Sequence, residues 1–354
     1  MALFLGLLIF AFIVTSIAIV PFIGFLYRLK FTRRSEAPKK GRIALFDKLH
    51  DWKAGTPVGG GLLIIILVSV LYAILFPLLQ YLGVYVTAVY PLKDELNIIF
   101  FGFIAFGLFG LYDDFIKFFG KAKREVGRIG ATKGILGFSF GLGRKAKFVI
   151  QLILGLTVGS MLYFNLKIDI IHFPLTNIVF HLGWLYIPFA AFVIIAFANA
   201  YNITDGLDGL STGLLLVCLL AFWILSAAML DTPLSVFLAL WIGAIIAFLY
   251  FNVYPARIWL GDSGALSFGA TLAIVGLLIG KIFALVFIGG IFVLEISTSL
   301  VQIFFIKLLH RRAFKIAPLH LWLQARGWEE PKIVTRAWLA GMMLAIFGLW
   351  LALI

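Results

Sequence analysis

The chain has little of what a soluble protein uses to meet water. Charged residues make up 13% of its 354 positions, where soluble domains carry about a quarter. Histidine occurs five times and cysteine once. The lone cysteine, Cys218, sits in an apolar run, which excludes a disulfide framework and a cysteine metal site. Acidic residues are also scarce, 16 against 29 lysines and arginines. What fills the space is hydrocarbon: 63% of residues are hydrophobic and the mean hydropathy is +1.11. No water-soluble fold hides that much apolar surface. The composition therefore predicts an all-α integral membrane protein.

A spanning helix needs about 20 apolar residues. Ten such runs are read, at 3–26, 61–83, 96–112, 148–165, 184–199, 211–230, 233–251, 264–280, 283–307 and 336–354. Met1–Tyr27 has the look of a signal peptide, but its apolar run is too long and has neither a basic start nor a small-residue cleavage site. It reads as a retained first helix. No internal repeat or polar linker divides the chain, so 1–354 is expected to form one polytopic domain. The stretch 166–183, with Pro174 and several β-branched residues, suits a small hairpin.

The net charge of +13 would suggest nucleic acid in a soluble protein. Its distribution argues against that partner. All lysines and arginines except Lys93, Lys167 and Lys281 fall in the loops after odd-numbered spans and their flanks. This is the positive-inside asymmetry, which places those loops in the cytoplasm and both termini outside. The bilayer is the first expected partner, and basic cytoplasmic loops attract its anionic headgroups.

Five polar clusters interrupt the hydrocarbon, all on that same predicted side. Asp113 and Asp114 close the third span, with Lys117 just beyond. Adjacent carboxylates repel, so keeping both requires a cation or a raised pKa. A divalent metal with a phosphate substrate uses such a pair; a solvated acidic helix end is the plain alternative. Asn199, Asn202, Asp205 and Asp208 recur every third residue where the fifth span ends, a spacing that stacks on one face of a 3₁₀ turn. Asp262 lies between Gly261 and Gly264, either presented to a metal or capping the eighth span. Lys53 precedes Gly55-Thr56-Pro57-Val58-Gly59-Gly60-Gly61, which suits a phosphate nest or a simple helix entry. The last loop carries Arg311, Arg312, Lys315 and His320, and Glu295 lies inside the ninth span. Trp259 is either a base-stacking ring or an interfacial anchor.

In this order the clusters resemble the polyprenyl-phosphate N-acetylhexosamine-1-phosphate transferases, from about Lys53 to Trp338. The resemblance rests on Gly55-Thr56-Pro57-x-x-Gly60-Gly61, Asp113-Asp114-x-x-Lys117 and Asn199-Ala200-Tyr201-Asn202-Ile203-Thr204-Asp205-Gly206-Leu207-Asp208. It continues through Phe251-Asn252-x-x-Pro255-Ala256, Gly261-Asp262-x-Gly264 and Glu295 to Gln302. Gly327-Trp328-Glu329-Glu330-Pro331-Lys332-Ile333-Val334 is similar to the muramoyl branch in particular. The resemblance implies ten spanning helices with a broken ninth at Gly289-Gly290, an active-site cleft facing the cytoplasm of a bacterial inner membrane, and Mg²⁺. It implies a UDP-linked amino sugar and undecaprenyl phosphate as substrates, with lipid I and UMP as products in peptidoglycan biosynthesis. Asp262 is then the metal ligand, and Asp113 or Asp114 deprotonates or orients the lipid phosphate. Lys53 and Lys117 bind phosphates. Asn202, Asp205 and Asp208 line the nucleotide pocket, with Trp259 on the uracil; Asn199 also binds substrate, and His320 lies toward the sugar or peptide. A homodimer is expected by analogy alone.

Three features depart from the family pattern. Three consecutive histidines are usual in the muramoyl branch, but this chain has His320-Leu321-Trp322, followed by Leu323-Gln324; the family's serine is Ala265. Within 120–147, Thr132-Lys133-Gly134 and Gly141-Leu142-Gly143-Arg144 compete for one motif, so Lys133 is given no role. The departures keep open transfer of another UDP-linked hexosamine, such as N-acetylglucosamine. From a different class comes a catalytically silent binder or a transporter of lipid-linked sugars. Retention of Asp113, Asp114, Asp205, Asp208 and Asp262 argues against silence.

Overall fold

A computed structural model describes residues 2–33, 53–119, 143–176 and 178–354. In chain order the helices are α1 (Ala2–Arg28), α2 (Gly60–Tyr81), α3 (Leu92–Phe119) and α4 (Arg144–Phe164). A hairpin of β1 (Ile170–Phe173) and β2 (Ile178–His181) follows, then α5 (Tyr186–Thr204), α6 (Leu210–Ala228) and α7 (Thr232–Asn252). The chain continues with α8 (Gly261–Leu278), α9 (Ile282–Ile288), α10 (Gly290–Leu309), α11 (Leu319–Ala325) and α12 (Glu330–Leu353). Among the described residues, ten helices are long and apolar enough to cross a membrane. In hydrocarbon every backbone polar group must be satisfied within its own segment, which is why apolar runs of this length become helices.

The spans lie near where the hydropathy places them, though α12 starts at Glu330, six residues before its apolar run. The ninth run breaks at Gly289 into α9 and α10, as the family resemblance implies. α3 runs on to Phe119, so Asp113, Asp114 and Lys117 belong to its last turns rather than ending it. α5 runs to Thr204, which puts Asn199 and Asn202 on a continuous α-helix and leaves Asp205 at its C-cap. Both extensions carry polar residues, which a hydropathy boundary truncates. The 166–183 hairpin is present, antiparallel, with Ile170 opposite His181 and Phe173 opposite Ile178.

α8 is the most enclosed element, packed against α3, α5 and α2. Lipid is as apolar as leucine, so helices in a membrane associate through close packing of small residues rather than hydrophobic exclusion. α8 follows that rule with Gly261-Asp262-Ser263-Gly264-Ala265 at its start. Deeper, Phe103, Phe237, Trp241 and Phe268 interlock, with Phe103 and Phe237 centroids 5.4 Å apart at 89°.

Candidate active site

The approach of α3 to α8 creates the site. A Cβ at Gly110 would lie 2.1 Å from the Asp262 carbonyl oxygen, so only glycine lets the two backbones come this close. One turn further along α3, Asp113 and Asp114 therefore meet the first turn of α8. The two acids do different things. Both Asp114 oxygens accept backbone N–H bonds, from Asp262 and Ser263 at 3.1 Å each. Asp114, not Asp262, caps α8, by accepting those two N–H groups at its start. Gly261, at φ +76°, leaves room for this carboxylate, since a Cβ there would stand 2.7 Å from Asp114 Oδ2.

Asp113 turns instead toward two lysines. Its Oδ2 accepts from Lys117 at 3.1 Å and from Lys147. The same ammonium groups reach Asp262 Oδ2, Lys117 at 2.5 Å and Lys147 at 3.7 Å. Two carboxylates thus face a common point beneath two partly exposed ammonium groups. Lys147 lies in the first turn of α4, one residue before the apolar run that marks this span in the sequence. The Arg144-Lys145-Lys147 cluster looks there like one more topogenic basic flank. Gln151, one turn on, holds α4 in register by accepting the Asn199 amide at 2.7 Å. Asn199 therefore points to α4, and also donates to Ile195 O at 2.8 Å. Lys133 lies outside the described residues, as do Gly141 and Leu142 of the competing motif.

The Lys53–Gly61 turn is not an anion nest. Its N–H groups already serve protein carbonyls: Gly55 to Arg33, Thr56 to Lys53, Val58 to Phe31, Gly59 and Gly60 to Trp259, and Gly61 to Leu260. With Val58 and Trp259 in a parallel bridge, the turn splices the α1–α2 loop to the α7–α8 loop. Lys53 is 3% exposed and donates to Asp208 Oδ1 at 2.7 Å and Glu330 Oε1 at 2.5 Å. Asp208 Oδ2 accepts from the Ala256 N–H at 2.9 Å. The Lys53 ammonium and the Arg33 guanidinium stand 5.2 and 4.9 Å from the Trp259 ring centre. Glu330 entered the sequence reading only as part of a branch signature; its contacts join positions too far apart in the chain to be foreseen.

Asp205 accepts from the Ser211 hydroxyl at 2.5 Å. Burial pushes its carboxyl up to about 7, with the Asp262 and Asp208 charges acting in the same direction and the Ser211 bond opposing. Asn202 stands half-buried one turn before it. Asn252 Oδ1 accepts from Thr212, and its amide donates to Ile258 O at 2.9 Å, which braces the loop carrying Trp259. His320 is buried, with Nδ1 3.1 Å from Glu295 Oε2 and its backbone N–H on Glu295 Oε1 at 3.2 Å. Its Nε2 faces Gly206, where a Cβ would come within 2.6 Å. His320 is thus aimed at the Asn199–Asp208 segment.

Among the described residues no three His, Cys, Asp or Glu side chains gather as a metal site. Mg²⁺ usually takes only one or two carboxylates, with water and substrate phosphate completing its shell. Asp113 and Asp262, hard oxygen donors sharing the same ammonium partners, fit that mode.

A sequence model of glycosyl transferase family 4 matches residues 96–280, which include Asp113 to Asp262. The phospho-N-acetylmuramoyl-pentapeptide-transferases of Bacillus thuringiensis (strain Al Hakam) and Bacillus cereus (strain AH187) are each 33% identical over 342 residues. Each alignment covers 95% of this chain and 94% of the relative. With a cluster of two acids and two lysines inside the matched region, the chain belongs to glycosyl transferase family 4 and, within it, to the phospho-N-acetylmuramoyl-pentapeptide-transferases.

Proposed function

We propose that this membrane enzyme transfers phospho-N-acetylmuramoyl-pentapeptide from its UDP-linked donor to undecaprenyl phosphate, giving lipid I and UMP. The observation that carries the reading is the convergence of Asp113 and Asp262 under Lys117 and Lys147. Phosphoryl transfer requires positioning and charge neutralisation more than covalent help. An oxygen of the lipid phosphate attacks the β-phosphorus of the donor. The bond from that phosphorus to the bridging oxygen breaks, and the electron pair leaves with UMP. Lys117 and Lys147 neutralise the phosphate oxygens during this exchange. Asp113 takes the proton of the lipid phosphate or orients it, because Asp114 is engaged at the start of α8. Asp262, with Asp113, would hold Mg²⁺, which supplies charge stabilisation on the pyrophosphate when bound.

Asn202, Asp205 and Asp208 form the nucleotide side, with Trp259 offering a ring to the uracil and Lys53 fixing Asp208. His320 reaches the same segment from α11. The positive-inside distribution of the basic loops supports a site at the cytoplasmic face of a bacterial inner membrane, with both termini outside. The chain acts as one domain, and a homodimer is expected by family analogy.

The test is UMP release by purified protein in lipid with Mg²⁺ and undecaprenyl phosphate, offered UDP-MurNAc-pentapeptide or UDP-GlcNAc. Release from the muramoyl donor alone supports the proposal. Release from UDP-GlcNAc alone moves the enzyme to the neighbouring branch, a reading favoured by Leu321 and Trp322 where histidines are usual. Release from neither overturns both.

A further inference from the structure

We infer that Glu330 is a positioning residue for the nucleotide half of the site, acting through Asp208 and Lys53. The inference rests on the function proposed above. Glu330 opens α12, 122 residues from Asp208 and 277 from Lys53 in the chain. Its Oε1 accepts two bonds at once, from the Asp208 backbone N–H at 2.6 Å and from the Lys53 ammonium at 2.5 Å. Asp208 closes the ring by taking the same ammonium on Oδ1 and the Ala256 N–H on Oδ2. The side chains of Lys53, Asp208 and Glu330 are 2%, 2% and 7% exposed.

Three loops and the last helix therefore meet at one ammonium group. Two carboxylates share one ammonium group in a buried place. Such an arrangement costs solvation energy that plain hydrophobic packing avoids. Its return is geometric: Glu330 fixes the Asp208 main chain and the direction of the Lys53 ammonium, and that ammonium lies over the Trp259 ring. Without Glu330 the Lys53 ammonium loses one carboxylate partner and the Asp208 N–H loses its acceptor. Binding of the uridine nucleotide weakens, while the chemistry at Asp113 and Asp262, on other helices, keeps its geometry.

Equilibrium binding of UMP to the full-length protein in lipid tests this, alongside steady-state kinetics. Glu330→Gln, which keeps an acceptor but removes the charge, is expected to weaken UMP binding at least fivefold, and Glu330→Ala at least twentyfold. For both variants KM for the UDP-linked donor rises by a similar factor. KM for undecaprenyl phosphate and kcat stay within threefold. Unchanged UMP affinity, or a fall in kcat at unchanged KM, overturns the assignment. The Lys53→Met background supplies a second measure if Glu330→Ala folds poorly. There Glu330→Gln is expected to cost less than twofold further in UMP affinity, and an undiminished cost overturns the route through Lys53. Failure of the unaltered protein to bind UMP sinks the functional reading itself; normal binding by every variant sinks only the inference.

Discussion

Asp114 caps a helix that is not its own: from α3 it accepts the backbone N–H groups of Asp262 and Ser263 at 3.1 Å each, at the start of α8. Its neighbour Asp113 faces Lys117 and Lys147 instead. Two adjacent carboxylates, alike in sequence, thus divide into an organiser of the fold and a candidate participant in the chemistry.

That division predicts opposite outcomes for the two acids. Asp114→Ala leaves two buried N–H groups without acceptors, each costing about 1–3 kcal/mol, and should lower the thermal midpoint markedly. Asp113→Asn should keep the midpoint within a few degrees and lose turnover. Melting curves and UMP release on both variants decide; equal destabilisation by both would contradict the assignment.

Asp262→Asn is expected to abolish turnover while the protein stays folded, because the side-chain volume is kept and the charge facing Lys117 and the proposed metal is lost. Mg²⁺ should raise the thermal midpoint of the unaltered protein and leave that of the variant unmoved. Chelation by EDTA should silence the enzyme, with recovery on adding Mg²⁺. Retained activity in the variant would remove Asp262 from the metal site.

Gly110→Ala places a Cβ 2.1 Å from the Asp262 carbonyl oxygen, and a methyl group has no rotamer by which to escape. The helices must part, at a cost of about 1–3 kcal/mol, and Asp113 moves away from Asp262. Turnover should fall at least tenfold. Gly6→Ala meets open space and serves as the control. Equal activity in the two variants would show that the α3–α8 approach tolerates separation.

Asp205 carries a pH signature. Its carboxyl is pushed up to about 7 by burial, while the unfolded chain ionises near the ordinary carboxylate value. Between these limits the folded state binds the extra proton, so the contribution of Asp205 to stability falls as pH rises toward 7 and is flat above it. Thermal midpoints from pH 5 to 8 should show a downward component that Asp205→Asn removes. An identical profile for both proteins would reject the raised value.

Much of the architecture was legible along the chain because bilayer physics is local. Twenty apolar residues make a span wherever they occur, whereas the break between α9 and α10 at Gly289 is expected from the family resemblance rather than from the apolar run itself. The clusters at Asp113, Asp205, Asp208 and Asp262 stood out because a charge beside hydrocarbon is costly to keep. Boundaries were less legible: the turns carrying Asp113 and Asn202 are polar, and hydropathy cannot see a helix continuing into water.

Partnership was not legible at all. Nothing near Lys53 announces Glu330, and the run of N–H groups after it reads as an anion nest until Trp259 and Leu260 supply the acceptors. Lys147 looked like another topogenic charge until α4 brought it to Asp113. The sequence by itself determined the membrane class, the number of spans, the sidedness of the basic loops as an expectation, and the residue types available for phosphate chemistry. Only the tertiary structure decided which acid caps α8, which lysines face Asp113 and Asp262, and where Glu330 anchors. Hydropathy acts over a single helix, whereas hydrogen bonds and ion pairs act over about 3 Å between segments whose separation in the chain carries no information about their separation in space.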